Sequence, residues 1–221
     1  MIIAIDGPSA SGKSTLGRLV ARALNLLYID TGSMYRAVAL AVIEANLNPS
    51  DKDAVTALAN EIEIDLEGDP DSLKVWLNRR DVTDQIRTES VTAMSSVVST
   101  IPGVRRAMVE RQRAISNRGA VLNGRDIGTV VFPEADFKFF LTANPNERAE
   151  RRYKEDQLTS GSTATLDETL ADLVERDRRD STRADSPLKV ADDAVIIDST
   201  GKSIEEVFAE MMERINVHRN H

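Results

Sequence analysis

Residues 2–15 read Ile2-Ile3-Ala4-Ile5-Asp6-Gly7-Pro8-Ser9-Ala10-Ser11-Gly12-Lys13-Ser14-Thr15. A short apolar strand runs into G-x-x-x-x-G-K-S, from Gly7 to Ser14. Leu16, Leu19, Val20, Ala23 and Leu24 then recur at helical spacing. Strand, glycine loop and helix is the context in which this motif has physical meaning. Successive backbone N–H groups of such a loop turn inward and meet the partial positive charge of a helix N-terminus. The result is a cradle for phosphates, with Gly7, Pro8, Ser9, Ala10, Ser11, Gly12, Lys13, Ser14 and Thr15 as its candidate residues. Lys13 can reach the β- and γ-phosphates, and the Ser14 hydroxyl can ligate Mg²⁺. The bland alternative, a chance Gly/Ser-rich turn, does not explain the flanking pattern.

Working outward, strands are expected at 26–29, 120–123, 137–141 and 194–198, in addition to 2–6. Helices are expected at about 13–25, 34–46, 52–62, 91–101, 102–117 and 145–157, with another from the Thr165-x-x-Glu168 capping box to about Asp180. Ser203-x-x-Glu206 caps the last. Short apolar strands separated by helices predict an α/β fold: a five-stranded parallel sheet covered on both faces by helices. Residues 62–83 break the pattern. Ile62-Glu63-Ile64-Asp65-Leu66 alternates strictly, and Gly68-Asp69-Pro70-Asp71 is turn chemistry, so a small antiparallel β insert is expected there. Leu158 to Ala164 is small and polar and reads as a loop. Ligands in doubly wound sheets bind beyond the carboxyl ends of the strands. The turns that matter are therefore Gly7–Ser14, Asp30-Thr31-Gly32 and Gly124-Arg125-Asp126.

Composition sets limits. With 221 residues, the chain can bury one sizeable core. A net charge of −8 argues against wholesale nucleic-acid binding. Only seven of the 28 basic residues are Lys. Such Arg usage suits planar, bidentate phosphate or carboxylate sites, although a general Arg preference on solvated faces explains part of it. The absence of Cys excludes disulfides and thiolate chemistry. Both His, His218 and His221, sit in the last four residues, so a His base or His-ligated metal is not expected. No signal peptide and no membrane-spanning run stand out, so the cytosol is the expected compartment, and a monomer is expected.

Three constellations accompany the loop. Arg36, one turn into the helix after Asp30, is placed to grip a second phosphate, and Asp30 to hold a water on Mg²⁺. Thr31 and Ser33 suit helix capping as well as ligand contact. Arg125 and Asp126 end a buried strand with no structural need for charge there. In the run Glu175 to Arg183, positions 176, 180 and 183 share a helix face, whereas a solvated helix is the ordinary reading of such a run. Arg148, Arg151 and Arg152 share a face on the preceding helix, and two Arg-bearing helices flanking a small-residue loop make a lid. Asp198-Ser199-Thr200-Gly201 matches a GTPase-like D-x-x-G, but the chain has no N-K-x-D. Gly201-Lys202-Ser203 lacks the first glycine of the loop motif.

These residues resemble the bacterial-type cytidylate kinase family among the nucleoside monophosphate kinases. The carriers are Ile5–Thr15, Asp30–Arg36, Pro102-x-Val104-Arg105 with Arg111-Gln112-Arg113, Gly124–Pro133, Arg176–Arg183 and Asp198-Ser199-Thr200. They stand in the family's order over essentially the whole chain. Where Thr31 stands the family favours Ser, which keeps a hydroxyl.

The resemblance implies the P-loop NTPase fold and Mg·ATP-dependent phosphorylation of CMP or dCMP. It implies that Thr31, Tyr35, Arg36 and Arg125 surround the acceptor phosphate, and that Ser96, Arg105 and Asp126 read cytosine. Arg176 and Asp180 would meet the ribose, and Arg183 the phosphates in transit. Lys13, Arg125, Asp126 and Arg183 would carry catalysis, with Arg148 and Arg152 on ATP. The implied partition is a core at 1–32, 118–147 and 190–221, a monophosphate-binding region at 33–117 and a lid at 148–165. A P-loop kinase for another monophosphate such as UMP, and a non-catalytic nucleotide-binding module, are the competing expectations.

Overall fold

The structure, a computed structural model, describes residues 1–159 and 163–219. It contains β1 (Ile2–Asp6), α1 (Lys13–Leu24), β2 (Leu27–Asp30), α2 (Thr31–Glu44), α3 (Lys52–Glu61), β3 (Ile64–Glu67), β4 (Lys74–Leu77), β5 (Arg80–Asp81), α4 (Glu89–Val98) and α5 (Pro102–Ile115). There follow β6 (Ala120–Gly124), a π-helical turn (Ile127–Val131), β7 (Phe137–Thr142), α6 (Pro145–Thr159), α7 (Leu166–Thr182), β8 (Val195–Asp198) and α8 (Ile204–Arg219). The five-stranded sheet has the order β2-β6-β1-β7-β8, and a three-stranded sheet has the order β3-β4-β5. The chain divides into two compact units, Met1–Leu26 with Val121–His221, and Leu27–Ala120.

In the first unit β1 is buried from Ile3 onward, as a central strand covered on both faces must be. It pairs in parallel with β7, Ile3 opposite Phe137 and Asp6 opposite Phe140. In turn β7 pairs in parallel with β8, Phe139 opposite Val195 and Thr142 opposite Asp198. Leu16 and Val20 of α1, Phe139 and Leu141 of β7, and Val207, Met211 and Ile215 of α8 fill the core. The chain leaves β1 at Gly7 with φ 144°, where a Cβ would lie 2.0 Å from the Leu141 carbonyl oxygen. No other residue fits there without moving β7. Helix α7 opens on the expected capping box. Glu168 N–H donates to Thr165 Oγ1 at 3.3 Å, and Thr165 N–H to Glu168 Oε2 at 2.8 Å, an arrangement worth about 1 kcal/mol.

In the second unit α2 packs on α4 and α3 on α5. The insert forms as alternation demands: Ile64 pairs with Leu77 and Leu66 with Val75 on the buried face, while Asp65 and Glu67 are exposed. The Arg111 guanidinium donates to the carbonyls of Ala59 at 2.6 Å, Asn60 at 3.1 Å and Ile62 at 2.5 Å. It thereby satisfies the C-terminal carbonyls of α3 from α5.

Three local expectations change. Helix α2 starts at Thr31, not Met34, because Asp30 is its cap: the Asp30 carboxylate accepts from Gly32 N–H at 3.1 Å. Thr31 and Ser33 are therefore first-turn residues, not caps. The π-helical turn after Asp126 was not foreseen. Helix α6 continues to Thr159, and residues 160–162 of the expected 158–164 loop lie outside the described residues, as does His221.

Candidate active site

The first unit gathers a charged cluster on the Gly7–Ser14 loop. Lys13 is buried. Its ammonium donates to the Pro8 carbonyl and to Ser11 Oγ, the latter at 3.2 Å. Burial above all, then the neighbouring Arg125, holds its pKa well below the ordinary lysine value, while Asp6 pulls it back up. Gly12, with φ 92°, precedes α1 with no side-chain cap. The N–H groups that open the helix are thus left to an anion.

Arg125 ties the loop to α7. Its Nε donates to Asp180 Oδ2 at 2.7 Å and its Nη2 to Ser9 Oγ at 2.7 Å. Arg183, with 6% of its side chain exposed, lies 3.6 Å from Asp126 Oδ1 and 3.7 Å from Asp180 Oδ1. Burial pushes the Asp180 carboxyl up, but Arg125, then Arg176 and Arg183, outweigh it, and the net shift is downward. Arg176 is also close enough to lower the Lys13 pKa. The face shared by 176, 180 and 183 is therefore turned to the loop, whereas Arg178 pairs with Glu175 in solvent at 2.8 Å.

The three arginines of α6 diverge. Arg148 is buried and donates to Ala143 O at 3.1 Å, Ser9 O at 3.1 Å and Asp177 Oδ2 at 2.6 Å. Arg151 donates to Ser199 O at 2.9 Å, and Arg152 to Asp156 Oδ2 at 2.9 Å.

The second unit carries another anion-ready group. Arg36 Nη2 donates to Ser33 Oγ at 2.7 Å and to Asp30 Oδ2 at 3.1 Å, and Ser33 Oγ donates to Asp30 Oδ2 at 2.7 Å. The Nε of Arg36 is buried with no hydrogen-bond partner, a donor suited to an incoming oxygen. Arg105, 2% exposed, stacks over the Tyr35 ring with Cζ 5.4 Å from the centroid. It also donates to Ser99 O at 3.2 Å. Thr31 is buried in the first turn of α2, and Ser96 is half-buried on α4.

Sequence reasoning missed three residues. Asn123 Nδ2 donates to Ser14 Oγ at 2.9 Å. Asp177 Oδ1 accepts from Ser9 N–H at 3.3 Å. The Asp6 carboxylate accepts from Ile127 N–H at 2.9 Å and Gly128 N–H at 2.7 Å. Asn123 and Asp6 each stand as a polar residue near the end of an otherwise apolar strand, which is the signal that was available.

The residues fit a magnesium ion. A serine hydroxyl oxygen has two acceptor sites, and Asn123 occupies one of those on Ser14. Among the described residues no cluster of three or more His, Asp or Glu forms a metal cage. The remaining ligands would be phosphate oxygens and water, which Mg²⁺ prefers.

Comparison with known proteins identifies the family. The family model for cytidylate kinase matches residues 3–217. A cytidylate kinase of Halalkalibacterium halodurans is 48% identical over 208 residues, 94% of this chain and 93% of the relative. One of Carboxydothermus hydrogenoformans is 45% identical over 216 residues, 97% of each chain. Among solved structures, an uncharacterized protein from Eubacterium ventriosum has a TM-score of 0.55 at 11% identity over 98% of both chains, a likeness of fold. With its family model matched almost end to end, the chain belongs to the cytidylate kinase family.

Proposed function

We propose that this member of the family moves the γ-phosphoryl group of ATP onto CMP, and onto dCMP, through the residues described above. The observation that carries the reading is Arg125, one guanidinium joining the phosphate loop at Ser9 to the Asp180 carboxylate, with Asp126 and Arg183 beside it. A phosphoryl group in flight spreads negative charge over its oxygens, and positioned cations stabilise it. An oxygen of the CMP phosphate attacks the γ-phosphorus in line. The bond to the β–γ bridging oxygen breaks, and ADP leaves.

In this account the Gly7–Thr15 loop cradles the ATP phosphates, and Lys13 exchanges its internal acceptors for phosphate oxygens. Arg148 and Arg152 serve the ATP side. Thr31, Tyr35, Arg36 and Arg125 hold the acceptor phosphate, Arg176 and Asp180 meet the sugar, and Arg183 follows the transferred group. Mg²⁺ on Ser14, with Asp30 as an outer-shell group, would supply charge neutralisation of the donor phosphates. The partition into core, monophosphate-binding region and lid (148–165) is part of the proposal. So are action as a monomer and a cytoplasmic location, which is where ATP and CMP are supplied. No described helix is long and apolar enough to cross a membrane.

Base choice follows from polarity. Cytosine presents an amine donor beside N3 and O2 acceptors. Asp126 supplies an acceptor, and Arg105 and Ser96 supply donors. Uracil would set a carbonyl against the carboxylate, leaving acceptors unpaired. Asp126→Ala is expected to collapse the CMP-over-UMP ratio of kcat/KM toward one, and an unchanged ratio would remove Asp126 from base reading.

A further inference from the structure

We propose that Asp6 is a positioning residue for the transfer reaction: its carboxylate clamps the turn that carries Arg125 and Asp126. This inference rests on the reaction proposed above.

Asp6 ends β1 one residue before the phosphate loop and is buried. A buried carboxylate is costly unless its oxygens are satisfied. Here the two oxygens divide the work, Oδ1 taking the Ile127 N–H at 2.9 Å and Oδ2 the Gly128 N–H at 2.7 Å. Those are the first two N–H groups of the π-helical turn, which the turn itself cannot satisfy. Asp126, the residue placed to cap it, makes no side-chain capping bond. The cap is delivered from the neighbouring strand, by Asp6 in place of Asp126. Two parallel N–H groups need two acceptors. Asn offers one and would turn its amide donor against the other N–H, and Ser offers one.

The surroundings bear on the reaction as well. Lys13 on the loop and Asp126 on the turn both act on Asp6, the first lowering and the second raising its pKa. Lys138 of β7 lies over the turn, with its Cδ 3.1 Å from where a Cβ of Gly128 would be, and Asp6 Oδ2 is 3.5 Å from the same point. Asp6 also opposes the loss of the Lys13 proton. One carboxylate thus fixes the backbone that follows Arg125 and Asp126. Burial, the dominant influence, lifts Asp6 to about 6, so its clamp is complete only above that pH.

The test compares wild type, Asp6→Asn and Asp6→Glu at matched folded fractions. Misplacement by about 1 Å costs on the order of 10²-fold in rate. Asp6→Asn is expected to lose about 10- to 100-fold in kcat/KM for CMP, with ATP affinity within about threefold of wild type. The part of the acid limb near pH 6 that Asp6 contributes is expected to be lost in the variant, while the part set by the CMP phosphate, whose second ionisation also lies at about 6, stays. A folded Asp6→Asn protein with kcat and KM for CMP within about twofold of wild type would overturn the proposal, since a stability cap alone would not move them. If Asp6→Asn does not fold, Asp6→Glu, which keeps the charge but moves the carboxylate one methylene along from the two N–H groups, is expected to give the same split, and wild-type kinetics there would overturn it. Amide exchange of Ile127 and Gly128, faster in Asp6→Asn with other strands unchanged, reads the clamp without turnover. Unchanged exchange overturns the clamp, whereas loss of CMP phosphorylation in wild type overturns the reaction instead.

Discussion

Asn123, at the end of β6, donates its side-chain amide to the hydroxyl of Ser14 at the start of α1, at 2.9 Å. The bond joins the strand that leads into Arg125 to the loop residue that fits magnesium. It takes up one acceptor site of the Ser14 oxygen and leaves the other for the proposed magnesium ion.

From this geometry, Asn123→Ala is expected to weaken the Mg²⁺ dependence of nucleotide binding by about tenfold, the lower end for loss of a group orienting a ligand. Titrating Mg²⁺ against a fluorescent ATP analogue checks it. Metal-free nucleotide binding should stay near wild type, and a uniform loss with and without metal would argue for a collapsed loop.

Lys13 is buried, has two internal acceptors and a pKa lowered by that burial. Lys13→Ala is expected to reduce kcat by about 10³-fold, in the range for loss of a cation that acts on the transferring phosphoryl. CMP affinity, measured by calorimetry, should change little. Equal losses in kcat and CMP binding would place Lys13 in general stabilisation of the site.

Asp6 gives a stability signature with a defined sign. Its unfolded value is near 3.8 and its folded value about 6. Between these the folded state binds more protons, so stability falls as pH rises from about 4 to about 6. The span corresponds to at most about 3 kcal/mol. In urea titrations across that range, the stability of wild type minus that of Asp6→Asn should fall as pH rises. A slope of opposite sign in that window, removed by the substitution, would contradict the assignment.

Much of the fold was legible because its signals are local. The apolar run Ile2–Ile5, the glycines of the loop, the alternation at Ile62–Leu66 and the Thr165–Glu168 capping box each fix an element by short-range rules. The start of α2 was misplaced because a carboxylate at Asp30 caps as well as a hydroxyl does, and three candidates stood in a row. The site was legible where charge interrupts apolar sequence, as at Arg125 and Asp126. It was not legible where roles depend on long-range approach. Asn123 meets Ser14 across 109 positions, and Ile127 meets Asp6 across 121. Arg148, Arg151 and Arg152 share a helical face in sequence, yet each finds a different partner because tertiary packing sets side-chain direction.

The choice of acceptor is tested most directly by ADP release from Mg·ATP in the presence of CMP, dCMP, UMP, AMP, GMP or dTMP, each alone. Turnover is expected with CMP and dCMP at a kcat/KM at least about 10²-fold above UMP and the purine monophosphates, the discrimination expected when the wrong base leaves buried polar groups unpaired. Preference for UMP or another monophosphate, or no ADP with any of them, would contradict it.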